Sequence, residues 1–280
     1  MTINGRQIAD EVLEGLKKEV AALRRAQGEP LRLAAVLVYS GGSEGLGLKK
    51  FVELKEKAAK SIGVGFKSYF FDENISEDDL KKEVEKISVK QEINGVFIEL
   101  PLPPNINPQN ILDAIPAGKD LDVLSKPNQD KFFVGDFRVL PPAVESVRVV
   151  FEKYNINLVG KKVAVFGYGF LIGKPISYWL SKQGAEASII RSKTENPAEV
   201  SARADIIISG VGKPGLITGN MIKEGAIIID FGYGKKDGKM VGDVDFESVS
   251  SRASLITPVP GGMGPVLIAV VLKNLVLLNS

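Results

Sequence analysis

The chain of 280 residues contains no cysteine and no histidine. Disulfides and thiolate nucleophiles are therefore excluded, and so are imidazole bases and Cys/His zinc sites. Any proton transfer falls to Lys, Asp, Glu, Tyr or water. An excess of one charge is also missing: 36 basic and 34 acidic residues leave a formal net charge of +2, with no basic run or arm. That argues against a nucleic-acid or membrane-surface partner and for small-molecule chemistry. No apolar run reaches the roughly 20 residues that a bilayer demands. The first stretch, MTINGRQIADEVLEGLKKEV, is amphipathic and well charged, unlike a signal peptide. The expectation is a soluble, cytoplasmic protein that binds no metal.

What is present alternates. Residues 5–27 have helical periodicity, and LRLAAVLV (31–38) reads as a buried strand because its apolar run is continuous. A helix through residues 49–63, a strand at FKSYFF, a helix from Ser76 to about Lys90 and the strand GVFIEL follow, ended by the proline-rich PLPPNINP. After loops around PNQDKFFVGDFRVLPP, a second alternating run begins with AVESVRVVFEKYN, and the chain closes on an apolar helix, PVLIAVVLKNLVLL. This predicts an α/β protein of two lobes with parallel sheet: residues 1–140, completed by helix 263–280, and a Rossmann-type nucleotide-binding lobe at 141–262.

In the second lobe, VAVFGYGFLIGKP places Gly167, Gly169 and Gly173 directly after a strand and at the start of a helix. Glycine there permits a tight turn and lets backbone amides approach a pyrophosphate at the positive helix end. The spacing differs from the usual dinucleotide fingerprint, so a glycine turn without a ligand stays open as the alternative. Where an NAD enzyme presents an acid to the ribose, the chain reads RSKT (191–194), two cations and two hydroxyls suited to a 2′-phosphate. NADP is the expected cofactor and NAD the alternative; an ordinary solvated loop is the bland reading of RSKT. The turns SGVGKPG and DFGYG bring further backbone to the same sheet edge.

In the first lobe one lysine is out of place. Within KKFVELKEKAAKSIG, Phe51, Leu54, Ala58, Ala59 and Ile62 form an apolar stripe, with Glu53, Glu56, Lys57 and Lys60 opposite. Lys55 projects from the middle of the stripe. Either its stem packs there while its head reaches water, or the amine works in a partly desolvated site.

These segments resemble, in order and spacing, the bifunctional methylenetetrahydrofolate dehydrogenase/cyclohydrolase family. The most specific pieces are ELPLP (99–103) with KDLD (119–122), VGKPGLITGNMIKEGAIIIDFG (211–232) and GDVDFESVSSRASLITPVPGGMGP (242–265). The resemblance implies NADP-dependent oxidation of 5,10-methylenetetrahydrofolate, hydrolysis of the methenyl product to 10-formyltetrahydrofolate, and a homodimer. It makes Lys55 the counterpart of the family's catalytic lysine, in a Tyr-x-x-x-Lys pattern, and Asp122 the counterpart of its pterin-binding aspartate. Gly261 and Gly262 match the Pro-Gly-Gly turn that lines the folate site.

The departures sit where the chemistry should be. The family's tyrosine is Phe51 here, which can stack on folate but lacks the hydroxyl that would orient Lys55. Its glutamine is Glu99, and an anion reaching Lys55 would work against a lysine acting as a base. An impaired cyclohydrolase is expected, with a monofunctional dehydrogenase or a non-catalytic binding paralogue as alternatives. The Gly-Arg-Ser turn is Gly167-Tyr168-Gly169, which leaves Arg191 and Lys193 as the candidates to supply the charge lost with the arginine, while Ser192 keeps its hydroxyl. Tyr233 stands where an aliphatic residue is usual. The glycine-rich GGSEGLGLKK predicts a mobile loop before Phe51.

Overall fold

The computed structural model describes residues 1–39 and 43–280, the side chains of 43–46 excepted. In chain order the elements begin α1 (Gly5–Gln27), β1 (Arg32–Tyr39), α2 (Ser43–Ser61), β2 (Gly65–Asp72), α3 (Glu77–Ser88), β3 (Gly95–Ile98), α4 (Pro108–Leu112) and α5 (Lys126–Val134). They continue α6 (Pro142–Lys153), β4 (Lys162–Phe166), α7 (Gly173–Lys182), β5 (Glu186–Ile190), α8 (Pro197–Ser201), β6 (Ile206–Ser209) and β7 (Ile227–Asp230). The last are β8 (Gly234–Lys236), β9 (Lys239–Val241), α9 (Phe246–Ser250), β10 (Leu255–Ile256) and α10 (Met263–Leu278). They group into two compact units, Asp10–Pro142 with Ile268–Ser280 and Met1–Ala9 with Ala143–Leu267.

The first unit is built on a parallel sheet of order β2-β1-β3. β1 is apolar and buried from Leu33 to Val38 because both of its faces are covered. Leu33, Ala35 and Leu37 pack with Val52 and Ala59 of α2, with Ile62 just beyond it, and with Val271, Leu272 and Leu275 of α10. Ala34, Val36 and Val38 turn the other way, onto Leu80, Val84 and Ile87 of α3. Ser76 caps α3 by accepting the Asp79 N–H at 3.2 Å, and acids fill its first turn.

Two expectations need correction here. Leu54 is 42% exposed. The buried side of α2 is rotated to Val52 and Ala59, in line with Ile62 just after the helix, which shifts Lys55 further inward than the stripe implied. KPNQDKFFV, expected as loop, is the helix α5, entered through a proline and ended by Gly135 at φ 85°. The mobile entry to α2 was expected on a stretch whose first residues lie outside the description; from Ser43 the chain is already helical.

The second unit carries a five-stranded parallel sheet of order β10-β7-β6-β4-β5. The chain starts at β4, steps out to β5, then returns past β4 to β6 and continues to β7 and β10. The reversal between β4 and β6 is a topological switch point, where doubly wound sheets open a crevice at the carboxyl ends of their strands. A two-stranded antiparallel ribbon, β8–β9, turns at Asp237-Gly238, both at positive φ. Its signal, Asp-Gly between short strands, stands in the sequence. Among the described residues no helix is long and apolar enough to cross a membrane.

Candidate active site

Side chains alternate along a strand. Val96 and Ile98 of β3 belong to the cluster around α3, whereas Phe97 belongs to the one around α2. Glu99, two residues beyond Phe97, therefore continues onto the α2 side. There Lys55 Nζ donates to Glu99 Oε2 at 2.7 Å and lies 4.0 Å from the centre of the Phe97 ring. The side chains of Lys55 and Glu99 are only 17% and 9% exposed. The amine is thus held by an anion and an aromatic face, and does not reach outward to water. Phe51, one turn before Lys55, is half-buried.

Asp122 comes to the same place by another route. An isolated parallel bridge sets Asp120 beside Val96 of β3. The Asp120 carboxylate is buried and accepts from Leu124 N, Ser125 N, Ser125 Oγ and Asn128 Nδ2 at 2.7–3.1 Å and, for Leu124, 3.2 Å. Asn274 of α10 donates to Leu121 O at 2.8 Å and Leu140 O at 3.0 Å. Between these anchors Val123 is forced to φ 58°, a left-handed conformation costly for a β-branched residue. Asp122 is left with no hydrogen-bond partner among the described residues. Burial pushes its carboxyl up to about 7; the Lys55 charge opposes that rise, and Asp120 and Glu99 add to it. Asp120 is thus a turn carboxylate, and Asp122 is the one facing the Lys55–Glu99 pair electrostatically.

In the second unit, Gly167 follows β4 at φ 88°, and its N–H donates to Ile190 O of β5 at 2.8 Å. Gly173 opens α7 so close that a Cβ would stand 2.2 Å from Gly167 O. Two of the three glycines are therefore required by the fold. Gly169 has no positive φ, and a Cβ there would meet nothing within 4 Å. Its lack of a side chain leaves room for something else. Tyr168 is 39% exposed at the same turn, Arg191 Cζ lies 4.3 Å from its ring centre, and Ser192 is exposed beyond β5. Tyr233, 40% exposed, sits in the turn after β7.

Sequence reading passed over Asp230 and Asp243. Asp243 is fully buried and accepts from Ser209 Oγ at 2.6 Å and from Val211 N and Lys213 N at 2.7 Å. Asp230 accepts from Gly232 N, Asp243 N and Val244 N at 2.7, 3.2 and 3.0 Å. Burial pushes the Asp230 carboxyl up to about 6, against those backbone bonds. Together they hang the 210–214 and 230–234 turns on one buried carboxylate pair, with Gly234 too close to Pro214 for any Cβ (2.6 Å). An acid ending an apolar strand (IIID) was the available signal. Gly261, at φ 99°, and Gly262 belong to a turn where the Gly262 position leaves 2.4 Å to Pro258 O for a Cβ. Among the described residues no group of three or more Asp or Glu could hold a metal ion.

A topological switch point edged by glycine turns, in a chain that also carries a buried lysine–carboxylate cluster, defines a two-domain nucleotide-dependent enzyme. Comparison with known proteins specifies which. Residues 141–280 match the tetrahydrofolate dehydrogenase/cyclohydrolase NAD(P)-binding domain, and residues 3–122 match the catalytic domain of the same family. The bifunctional protein FolD of Hydrogenobaculum sp. is 37% identical over 276 residues, 97% of this chain and 96% of its own length. The crystal structure of the Campylobacter jejuni bifunctional enzyme FolD, a methylenetetrahydrofolate dehydrogenase/cyclohydrolase, is 32% identical with a TM-score of 0.92, covering 100% of this chain and 98% of that one. A Trypanosoma brucei homologue, crystallised with NADP and an inhibitor, is 30% identical with a TM-score of 0.93, covering 100% and 97%. The chain belongs to the tetrahydrofolate dehydrogenase/cyclohydrolase family.

Proposed function

We infer that the protein oxidises 5,10-methylenetetrahydrofolate to the methenyl form with NADP and hydrolyses the product to 10-formyltetrahydrofolate, the second step being slowed in this chain. The observation that carries this reading is the Lys55–Glu99–Asp122 cluster in the family's catalytic domain. NADP, when bound, accepts the hydride. The chain's share in that step is alignment, by the turns at 167–173, 210–214 and 230–234 with Ser192 and Tyr233 at the same edge; no protein acid or base is required.

Pterin recognition falls to Asp122, whose ionised carboxylate can accept paired N–H groups and has no competing partner. Phe51 offers a ring for stacking, and Gly261 and Gly262 offer backbone for the folate site. In hydrolysis, water adding to the methenyl carbon must lose a proton. Lys55 is placed to orient that water. As an ion-paired ammonium it has hydrogens to donate but no lone pair, so it must first release a proton before it can accept one. Phe51 supplies no hydroxyl to help. The hydrolase half therefore suffers and the dehydrogenase half does not.

On the same reading residues 1–140 with 263–280 serve folate, 141–262 serve the nucleotide, and the protein works as a cytoplasmic homodimer. The test mixes purified protein with methylenetetrahydrofolate and NADP⁺ while following reduced cofactor and methenyl absorbance together. Reduction with methenyl building up supports the reading. Reduction without build-up, once spontaneous hydrolysis is subtracted, would remove the slowed step; no reduction with either NADP⁺ or NAD⁺ would remove the enzyme.

A further inference from the structure

We propose that Arg191, held over the ring of Tyr168, is the residue by which this chain selects a dinucleotide carrying a 2′-phosphate; the proposal rests on the nucleotide-binding reading of the second unit. Strand register brings the two together. β4 and β5 pair Phe166 with Ile190, and Gly167 N donates to Ile190 O at 2.8 Å. One residue past that last rung, Tyr168 and Arg191 leave adjacent strands side by side, with Arg191 Cζ 4.3 Å from the ring centre. An aromatic face under a guanidinium restrains it through cation–π attraction and leaves its N–H edge usable.

That edge is uncommitted. Among the described residues nothing accepts a hydrogen bond from the Arg191 side chain, although its backbone is fixed. Arg191 N donates to Thr194 Oγ1 at 2.8 Å, and Thr194 N returns to Arg191 O at 3.0 Å. The closed turn keeps Ser192 and Lys193 exposed at its tip. In doubly wound sheets the strand beside the glycine turn ends at the adenosine ribose. A carboxylate there would accept the ribose hydroxyls and repel a 2′-phosphate. Residues 191–194 contain none, and Glu195, the next acid, is exposed. A rigid fork of donors suits the phosphate's oxygens, whereas Lys193 offers a point charge with no platform beneath it.

Calorimetric titration of the full-length protein with NADP⁺, NAD⁺ and adenosine 2′,5′-bisphosphate tests this without any turnover. Arg191→Ala should weaken NADP⁺ and the bisphosphate by roughly ten- to hundredfold, the loss of a charged hydrogen-bond pair, and leave NAD⁺ within about twofold. Tyr168→Phe, which keeps the ring, should leave the NADP⁺/NAD⁺ ratio in place, and Tyr168→Ala should erode it. Equal weakening of both dinucleotides by Arg191→Ala overturns the proposal, as does unchanged NADP⁺ affinity or a selective loss found only in Lys193→Ala. If the wild-type protein binds neither dinucleotide, the nucleotide-binding reading falls, which is a different failure from binding both without discrimination.

Discussion

Lys55 Nζ and Glu99 Oε2 stand 2.7 Å apart, joined across from α2 to the end of β3, with both side chains largely out of water. The lysine packs in the apolar side of its helix because a carboxylate waits on the same pleat as Phe97. Such a pair is held firmly, and on the proposed reading it restricts what the amine can do in hydrolysis. Replacing the anion by the isosteric amide separates the two effects. Glu99→Gln should raise the rate of methenyl hydrolysis several-fold while lowering stability by about 1–3 kcal/mol, since a charged partner is lost from a mostly buried ammonium. Denaturant unfolding and loss of methenyl absorbance measure the two. A hydrolysis rate that falls would show that the carboxylate assists the step.

Restoring a hydroxyl at position 51 bears on the same amine. Phe51→Tyr should speed hydrolysis without changing NADP⁺ reduction, and combined with Glu99→Gln it should depart from additivity, because both changes act through Lys55. Strict additivity of the two rate effects would place them in separate mechanisms.

The raised carboxyl of Asp122 predicts two pH dependences of opposite sign. An unfolded aspartate ionises near pH 4, whereas the folded one is pushed to about 7 by burial. Between those values the folded state binds the extra proton, so stability declines as pH rises from about 4 to 7 and is level above it. Folate affinity should instead improve through that upper limit, as the carboxylate becomes able to accept paired N–H groups. Asp122→Asn should flatten both profiles, read by thermal unfolding and by KM for the folate against pH.

Val123 tests whether the Asp122 loop is strained. At an ordinary site glycine is less stable than alanine by about 0.5–1 kcal/mol. At φ 58° that order should invert. Val123→Gly should be more stable than Val123→Ala by about 1 kcal/mol, although both lose the burial of the valine methyls. The usual order would mean that the loop relaxes.

The glycines of the nucleotide turn should part company under substitution. Gly173→Ala drives a Cβ to 2.2 Å from Gly167 O and should destabilise the unit and abolish NADP⁺ binding together. Gly169→Ala meets no protein atom within 4 Å and should leave the melting temperature unchanged. Any loss of NADP⁺ affinity in that variant reports the approach of the ligand itself. Destabilisation by Gly169→Ala would contradict the open space seen there.

Periodicity and turn chemistry determined much of this protein. The continuous apolar run of β1 announced a strand covered on both faces, and Gly167 and Gly173 announced a strand-to-helix turn because no other residue fits their backbone. The misplacement of Lys55 was also legible, since helical spacing is a local property. Its direction was not fully so: the stripe drawn through Leu54 was off by a fraction of a turn, and only packing against β1 and α10 set the rotation. What lay beyond local reach depended on contacts between distant segments. Whether Glu99 touches Lys55, 44 positions away, followed from the pleat of β3 and the placement of α2. Asp230 and Asp243 look like ordinary turn acids until the return from β9 brings these two residues, 13 positions apart, into one buried carboxylate pair. Arg191 and Tyr168 read as two exposed loop residues until parallel register lays their strands side by side. Residue type and spacing carry the local geometry of the chain, but hydrogen-bond partners, burial and therefore ionisation are made by which strands neighbour one another, and that is decided by the tertiary fold.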